Sequence, residues 1–407
     1  MLKSNNALKN ETKSSVKVTA YFLCIIFVLS FIEIGSYLLL SYEDQIKKIF
    51  NYRPKLDLGL DIYEIPDYEY PHHWRLKSGS SFTLRELIQA KNKSGRILGA
   101  KMLEKNASHF NTSLNEVLFH INKKGFKGPE IIEPKTRLRI LSLGDSCTFG
   151  SVFDKYCYPR ILEKKLKELG NNVEVINAGV QGYAPYNIVC RIEEFKSLKP
   201  DITTIYIGWN ALYDKKTIHS LYKQLNSIIL LKRLLKKLKT MLRTKQTSLE
   251  EYNKLKVPNI KDPLLNKIEN YIPWFYNDLM RIINEFQEIG SKVVLITLPG
   301  LYSMNRIPDK STLEKGHLPT YTNNPYVIAK LTTRYNNILK QHAGLCQISL
   351  VNLEKWCESN LQPVESYFID SVHLDENGQT KIGLYLANQL VTIFPDLFRI
   401  TIPLDKR

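Results

Sequence analysis

From about residue 137 onward, two kinds of apolar pattern alternate along the chain. Short, mostly β-branched runs at 138–143, 173–176, 202–207, 293–298 and 348–353 are bounded by Gly, Pro, Asn or Asp, which predicts five strands buried on both faces. Residues 158–169, 187–198, 266–289 and 327–342 instead predict helices, and 376–391 predicts a closing helix. Strands alternating with helices build a parallel sheet covered on both sides, so the expected fold class is α/β, a doubly wound sandwich. This expected domain covers 137–397, followed by a tail at 398–407.

One segment breaks the rhythm. Residues 214–263 lie between the third strand and the next helix, where a direct connection would suffice. Within them Leu231, Leu234, Leu235, Leu238 and Met241 fall on one helical face, and residues 215–245 hold ten Lys or Arg and no Asp or Glu. Such an insertion can lie on an anionic membrane surface, cap a site, or bury its leucines against the sheet with its lysines solvated.

Upstream, residues 18–40 are apolar throughout except for Glu33, long enough to cross the roughly 30 Å hydrocarbon core of a bilayer. The competing reading is a cleavable secretory signal, with Lys3, Lys9, Lys13 and Lys17 as its basic head. No small-x-small cleavage site follows, and the apolar run continues through residues 34–40, so the segment reads as an uncleaved single-pass anchor at 18–41 behind a tail at 1–17. Glu33, near one end, is expected at the interface. Residues 42–136, rich in Tyr, Pro, Lys and Asn, form an expected juxtamembrane subdomain with a helix near 84–103 and a strand before Gly125.

Composition narrows the classes further. The chain has 407 residues, 57 Lys plus Arg against 40 Asp plus Glu, and 43% apolar content, which exclude a disordered tail or a collagen-like repeat. One long apolar run excludes a multi-span helical transporter. The net charge of +17 comes without a nucleic-acid-reading motif, so no nucleic-acid partner is expected. The six cysteines lack paired metal-ligand spacing, and His72-His73 has no acidic or thiol companion suited to a metal, so no metal site is expected.

Reactive groups in an open α/β sheet gather beyond the carboxyl ends of the strands. The first strand runs into Gly144-Asp145-Ser146-Cys147, which sets a hydroxyl immediately after a strand. Backbone N–H groups in such a turn are free to stabilise developing negative charge. The second strand runs into Gly179-Val180-Gln181-Gly182 and the third into Gly208-Trp209-Asn210, an amide at the same edge of the sheet. Just before the last helix, Asp370-Ser371-Val372-His373 puts a carboxylate three residues ahead of an imidazole, the spacing of a base and its orienting partner. Each feature alone is an ordinary turn or cap; four in one order point to nucleophilic catalysis. Cys147 offers a rival thiol nucleophile.

These blocks resemble those of the SGNH hydrolases, the GDSL esterase and lipase family, over roughly residues 137–395. The resemblance implies a flavodoxin-like three-layer α/β/α sandwich with about five parallel strands. It further implies Ser146 as nucleophile, His373 as base, Asp370 as its partner, and an oxyanion hole from the Ser146 and Gly182 N–H groups with the Asn210 side chain. One departure stands out: the third block usually reads Gly-x-Asn-Asp, and Ala211 replaces the last residue.

The expected function is a membrane-anchored serine hydrolase of ester bonds, needing no cofactor, with its catalytic domain on the extracytoplasmic side. Its substrate would be an acyl ester, such as an acylated glycan or lipid. Two alternatives share the site: an acyltransferase that O-acylates a cell-surface glycan, and a catalytically weak glycan- or lipid-binding module.

Overall fold

The computed structural model describes residues 21–39, 60–67, 69–70, 73–222, 227–228, 231, 235 and 255–398. The expected N-terminal tail, His72 and, within the insertion, Leu234, Leu238 and Met241 lie outside these residues. The chain divides into two compact units, Met1–Pro54 with Tyr222–Ser248, and Lys55–Leu221 with Leu249–Arg407.

In the first unit, Tyr21–Leu39 is a 19-residue helix that is apolar and long enough to span a bilayer. Its large side chains are exposed, Phe27 at 73%. Glu33 is engaged: its carboxylate accepts the Ser227 N–H at 3.1 Å and the Ser227 hydroxyl at 2.8 Å. From the insertion, Ile228, Leu231 and Leu235 are exposed, at a spacing that shares one helical face.

The second unit begins with the antiparallel hairpin β1 (Glu64–Asp67) and β2 (His73–Leu76) and the antiparallel pair β3 (Ser80–Thr83) and β4 (Val117–Ile121). Between β3 and β4, the helix expected near 84–103 divides at Ser94-Gly95 into Leu84–Lys93 and Ile97–His109. The first of these is fixed by a capping box, in which Thr83 and Glu86 exchange side-chain and backbone hydrogen bonds.

The five expected strands then form one parallel sheet from β5 (Leu138–Gly144), β6 (Val173–Gly179), β7 (Ile202–Tyr206), β8 (Lys292–Ile296) and β9 (Ser349–Val351). Their spatial order is β6-β5-β7-β8-β9, so the chain leaves β5, an interior strand, toward one side and returns on the other. Ile140, Leu141 and Leu143 of β5 are fully buried, as a strand sandwiched between helix layers requires. Tyr158–Glu168 packs on Glu376–Ile393 through buried positions that include Leu162, Leu166, Ile382 and Leu386. Pro185–Cys190, Ile192–Ser197 and Tyr276–Glu288 form another helical group.

Two expected helices are interrupted. Residues 187–198 split at Arg191, and 266–289 splits into Pro263–Ile268 and Tyr276–Glu288 around Pro273. Proline removes a helical N–H and clashes with the preceding turn, which accounts for the second break.

Strand β5 is also held by a buried charge. Arg139, 1% exposed, donates to Glu174 on β6 at 2.7 Å and to the carbonyls of Leu198 and Ile132. Removing one partner of such a pair leaves an uncompensated buried charge. Arg139→Ala should therefore lower unfolding free energy by about 3–5 kcal/mol, and Arg139→Met combined with Glu174→Gln should lower it by less, as read from urea titrations.

Candidate active site

At the end of β5, Gly144 lies in register with Gly179 of β6 and Tyr206 of β7. A side chain there has no room: a Cβ on Gly144 would sit 2.0 Å from Thr148 Oγ1 and 2.4 Å from the Tyr206 carbonyl oxygen. The tight exit leads to Asp145, which caps the short helix Ser146–Phe149 by accepting the Cys147 N–H at 2.9 Å. Ser146 is thereby presented at the carboxyl edge of the sheet.

The imidazole arrives from a loop closed upon itself. Ile369 donates its N–H to the His373 carbonyl and Asp375 to that of Tyr367, both at 2.8 Å, and Phe368 pairs with Leu374. Inside the loop, Asp370 Oδ1 accepts the N–H groups of Val372 and His373 at 2.9 Å. Its other oxygen is left for the ring, and Asp370 Oδ2 lies 2.7 Å from His373 Nδ1. On the opposite side of the imidazole, His373 Nε2 lies 2.7 Å from Ser146 Oγ. With a proton on Nδ1 donated to the carboxylate, the Nε2 lone pair faces the serine hydroxyl.

Electrostatics favour this arrangement. Burial works to raise the Asp370 carboxyl, but the hydrogen bond and charge of His373, with His317 and the Val372 N–H, hold it well below the usual carboxylate range. Burial works to lower His373, yet the hydrogen bond and charge of Asp370, with a further pull from Asp145, raise it above the ordinary histidine value. Burial pushes the Asp145 carboxyl up to about 6, against the opposing Cys147 N–H and His373 charge. Cys147 is 2% exposed, its thiol turns to the Val372 carbonyl, and burial pushes its pKa far above the ordinary thiol value, so the neighbouring sulfur is a poor nucleophile.

The remaining predicted residues line the same cleft. Ser146, Gly182, Asn210, Asp370 and His373 all face one open cavity of about 490 Å³, and Met102 and Leu103 of Ile97–His109 form part of its wall. Asn210 donates its Nδ2–H to the Tyr183 carbonyl at 3.0 Å, which ties the third block to the second. Ala211 is fully buried, and its carbonyl accepts from Thr217 Oγ1 at 2.9 Å and Trp274 Nε1 at 3.2 Å.

The sequence reading missed His317, whose Nδ1 lies 3.9 Å from Asp370 Oδ1, and the wall supplied by Ile97–His109. For that wall a signal existed: Gly99, Met102, Leu103 and Asn106 follow helical spacing. Among the described residues no cluster of three His, Cys, Asp or Glu suits a metal ion. His73 is buried, with Nε2 3.1 Å from the Asn187 carbonyl and Nδ1 3.4 Å from Asp67.

A model of the GDSL-like lipase/acylhydrolase family matches residues 142–381, more than half of the chain. The chain belongs to this family. It is accordingly a hydrolase of ester bonds. Among solved structures, it is similar to the acetyl xylan esterase AlAXEase at 17% identity, covering 63% of this chain and 98% of that one, with a TM-score of 0.37. A lipase/acylhydrolase from Enterococcus faecalis is 18% identical, with 65% and 98% covered and a TM-score of 0.35. A putative lipolytic protein of the G-D-S-L family from Desulfitobacterium hafniense DCB-2 is 11% identical, with 62% and 99% covered and a TM-score of 0.35. The search of curated proteins found no match.

Only neutral imidazole can accept a proton, so with His373 as the proposed base its raised value places the acid limb of kcat/KM above pH 6.5, with activity rising as pH increases through it. Asp370→Asn removes the two largest influences that raise His373, its hydrogen bond to a carboxylate and that carboxylate's charge, and leaves the pull of Asp145 against burial. The limb should then move to lower pH while kcat falls by about 10⁴-fold, measured as a pH–rate profile on a soluble short-chain ester.

Proposed function

We propose that the chain is a membrane-anchored serine esterase. Ser146 attacks the acyl carbonyl while His373 takes its proton, and Asp370 holds the ring tautomer and stabilises the imidazolium. The N–H groups of Ser146 and Gly182 and the Asn210 amide stabilise the oxyanion. Collapse of the tetrahedral intermediate breaks the ester C–O bond, and His373 returns the proton to the departing alcohol. Water, deprotonated by the same imidazole, then attacks the acyl-serine; release of the acid restores the Ser146 hydroxyl.

The observation that carries this reading is the continuous pair of 2.7 Å contacts from Asp370 through His373 to Ser146, opening onto a cleft. A binding module has no need of a base aligned on a hydroxyl. Ser146→Ala should reduce turnover of a short acyl ester by about 10⁶-fold and abolish labelling by a fluorophosphonate. Undiminished hydrolysis by that variant would refute the mechanism. Acyl groups appearing on an added oligosaccharide faster than free acid would establish transfer in place of hydrolysis.

For organisation, we assign 18–41 to the anchor, 42–136 to a juxtamembrane subdomain and 137–397 to the hydrolase domain, with the basic insertion at 214–263 meeting the anionic membrane surface. Support comes from the exposed apolar side chains of Tyr21–Leu39, from the exposed Ile228, Leu231 and Leu235, and from the ten basic residues within 215–245. The short N-terminal tail stays inside and the catalytic domain is exported. Protease added outside intact cells should therefore digest the hydrolase domain, whereas protection of that domain until the membrane is permeabilised would reverse the assignment.

A further inference from the structure

The hairpin β1–β2 lies outside residues 142–381, the part matched by the family, yet it reaches the loop that carries Gly182. Trp74 on β2 donates its indole Nε1–H to the Gln181 carbonyl oxygen at 3.0 Å. Tyr183 donates its hydroxyl to the Trp74 carbonyl at 2.5 Å, and the two rings meet edge to face at 5.6 Å. The loop is therefore gripped on both sides of Gly182.

The consequence follows from peptide geometry. The Gln181 carbonyl and the Gly182 N–H belong to one planar unit, and in a trans peptide they point in opposite directions. Fixing the oxygen toward the indole fixes the N–H away from it. Gly182 has φ +77°, a region in which glycine rotates with little steric penalty, so its own backbone does little to hold that orientation. The indole also closes the space beside it: a Cβ on Gly182 would lie 2.9 Å from Trp74 Cζ2.

The hairpin is itself well tethered. Arg75 bonds Asp67 at 2.5 Å and Glu194 at 3.0 Å, Glu194 bonds Arg191 at 2.6 Å, and Arg191 reaches the Tyr183 hydroxyl at 3.4 Å. Asn210, the side-chain donor of the oxyanion hole, holds the Tyr183 carbonyl. One short loop thus links two of the three donors, Gly182 N–H and Asn210, to a hairpin from outside the family core.

We propose that Trp74 is a positioning residue for ester hydrolysis: its indole N–H locks the Gln181–Gly182 peptide with the Gly182 N–H presented to the oxyanion. This inference rests on the assignment of Ser146 as nucleophile and Gly182 N–H as an oxyanion donor. Loss of a whole oxyanion donor costs about 10²–10³ in kcat, and loss of its orienting bond, which leaves the donor present part of the time, should cost about 10–100-fold on the same scale.

The test uses the full chain with Trp74→Phe, which keeps an aromatic ring and removes the N–H. A second variant carries β-(3-benzothienyl)alanine at position 74, an isostere of tryptophan without the N–H, so that packing and folding are retained. Both should show kcat reduced at least tenfold, KM within about twofold of wild type, and an unmoved acid limb, because His373 and Asp370 are untouched. The inference is overturned if the isostere variant keeps kcat within twofold of wild type, or if its lost activity tracks a lowered melting temperature. Ser146→Ala is assayed in parallel: an inactive Ser146→Ala with an undiminished isostere variant defeats the clamp alone, whereas an active Ser146→Ala defeats the mechanism and the clamp together.

Discussion

A hydroxyl oxygen must meet an imidazole nitrogen at hydrogen-bond distance although 227 positions separate them in the chain. The parallel sheet makes this meeting possible. All five strands end at one edge, and β5 lies where the chain first turns to β6 and then crosses back to β7. At such a switch point the loops leave in opposite directions and open a crevice between them. Ser146 stands in that crevice, with the loops after β6 and β7 beside it. The loop of Asp370 and His373 contributes the imidazole from the far end of the chain. Its backbone bonds make it rigid on its own account, so the sheet has only to place it.

The same geometry settles which ionisable groups are useful. Asp370 spends one oxygen on its own loop and the other on the imidazole, so its negative charge is held and cannot wander to solvent. In the proposed mechanism that charge keeps the imidazolium, once formed, from being prohibitively costly in a buried site. Asp145, immediately before Ser146, has the opposite environment, and burial pushes it up to about 6. Two carboxyl groups close to one serine are thus separated by their surroundings into a hydrogen-bond partner of the imidazole and a helix cap. Cys147, the other nucleophilic candidate, is disqualified by the same burial that makes it part of the core.

The strands and the reactive blocks were legible because both depend on short-range chemistry. Strands buried on two faces leave continuous apolar runs, and the tight strand exit before Ser146 demands a small residue. The Asp370 and His373 pairing was legible too, since a carboxylate three residues before an imidazole forms its contact within one loop. The helix interruptions were harder. Arg191 falls in an otherwise continuous helical pattern, and the break there accompanies its buried contacts with Glu194 and Tyr183. Contacts between distant segments leave no periodic trace, which is why the approach of His317 to Asp370 and the Trp74 grip on Gln181 are visible only in the folded chain. His73 shows the same limit: its tandem histidine suggested a question about metal, and the answer lies in the Asn187 carbonyl more than one hundred positions away.

Ala211 raises the question of what steadies the third block without the carboxylate usual at that place. The preceding Ile207 carbonyl is held by the Tyr335 hydroxyl at 2.8 Å, and the Ala211 carbonyl is held by Thr217 and Trp274. Asn210 therefore sits on a helical turn whose backbone is bonded from outside at both ends, while its amide is bonded to Tyr183. A carboxylate steadies a neighbour by attracting donors; here a buried backbone oxygen attracts them, without the cost of placing a second charge in a fully buried position. An alanine side chain asks nothing of its surroundings, and the positioning of Asn210 passes to main-chain atoms that a substitution at 211 does not remove.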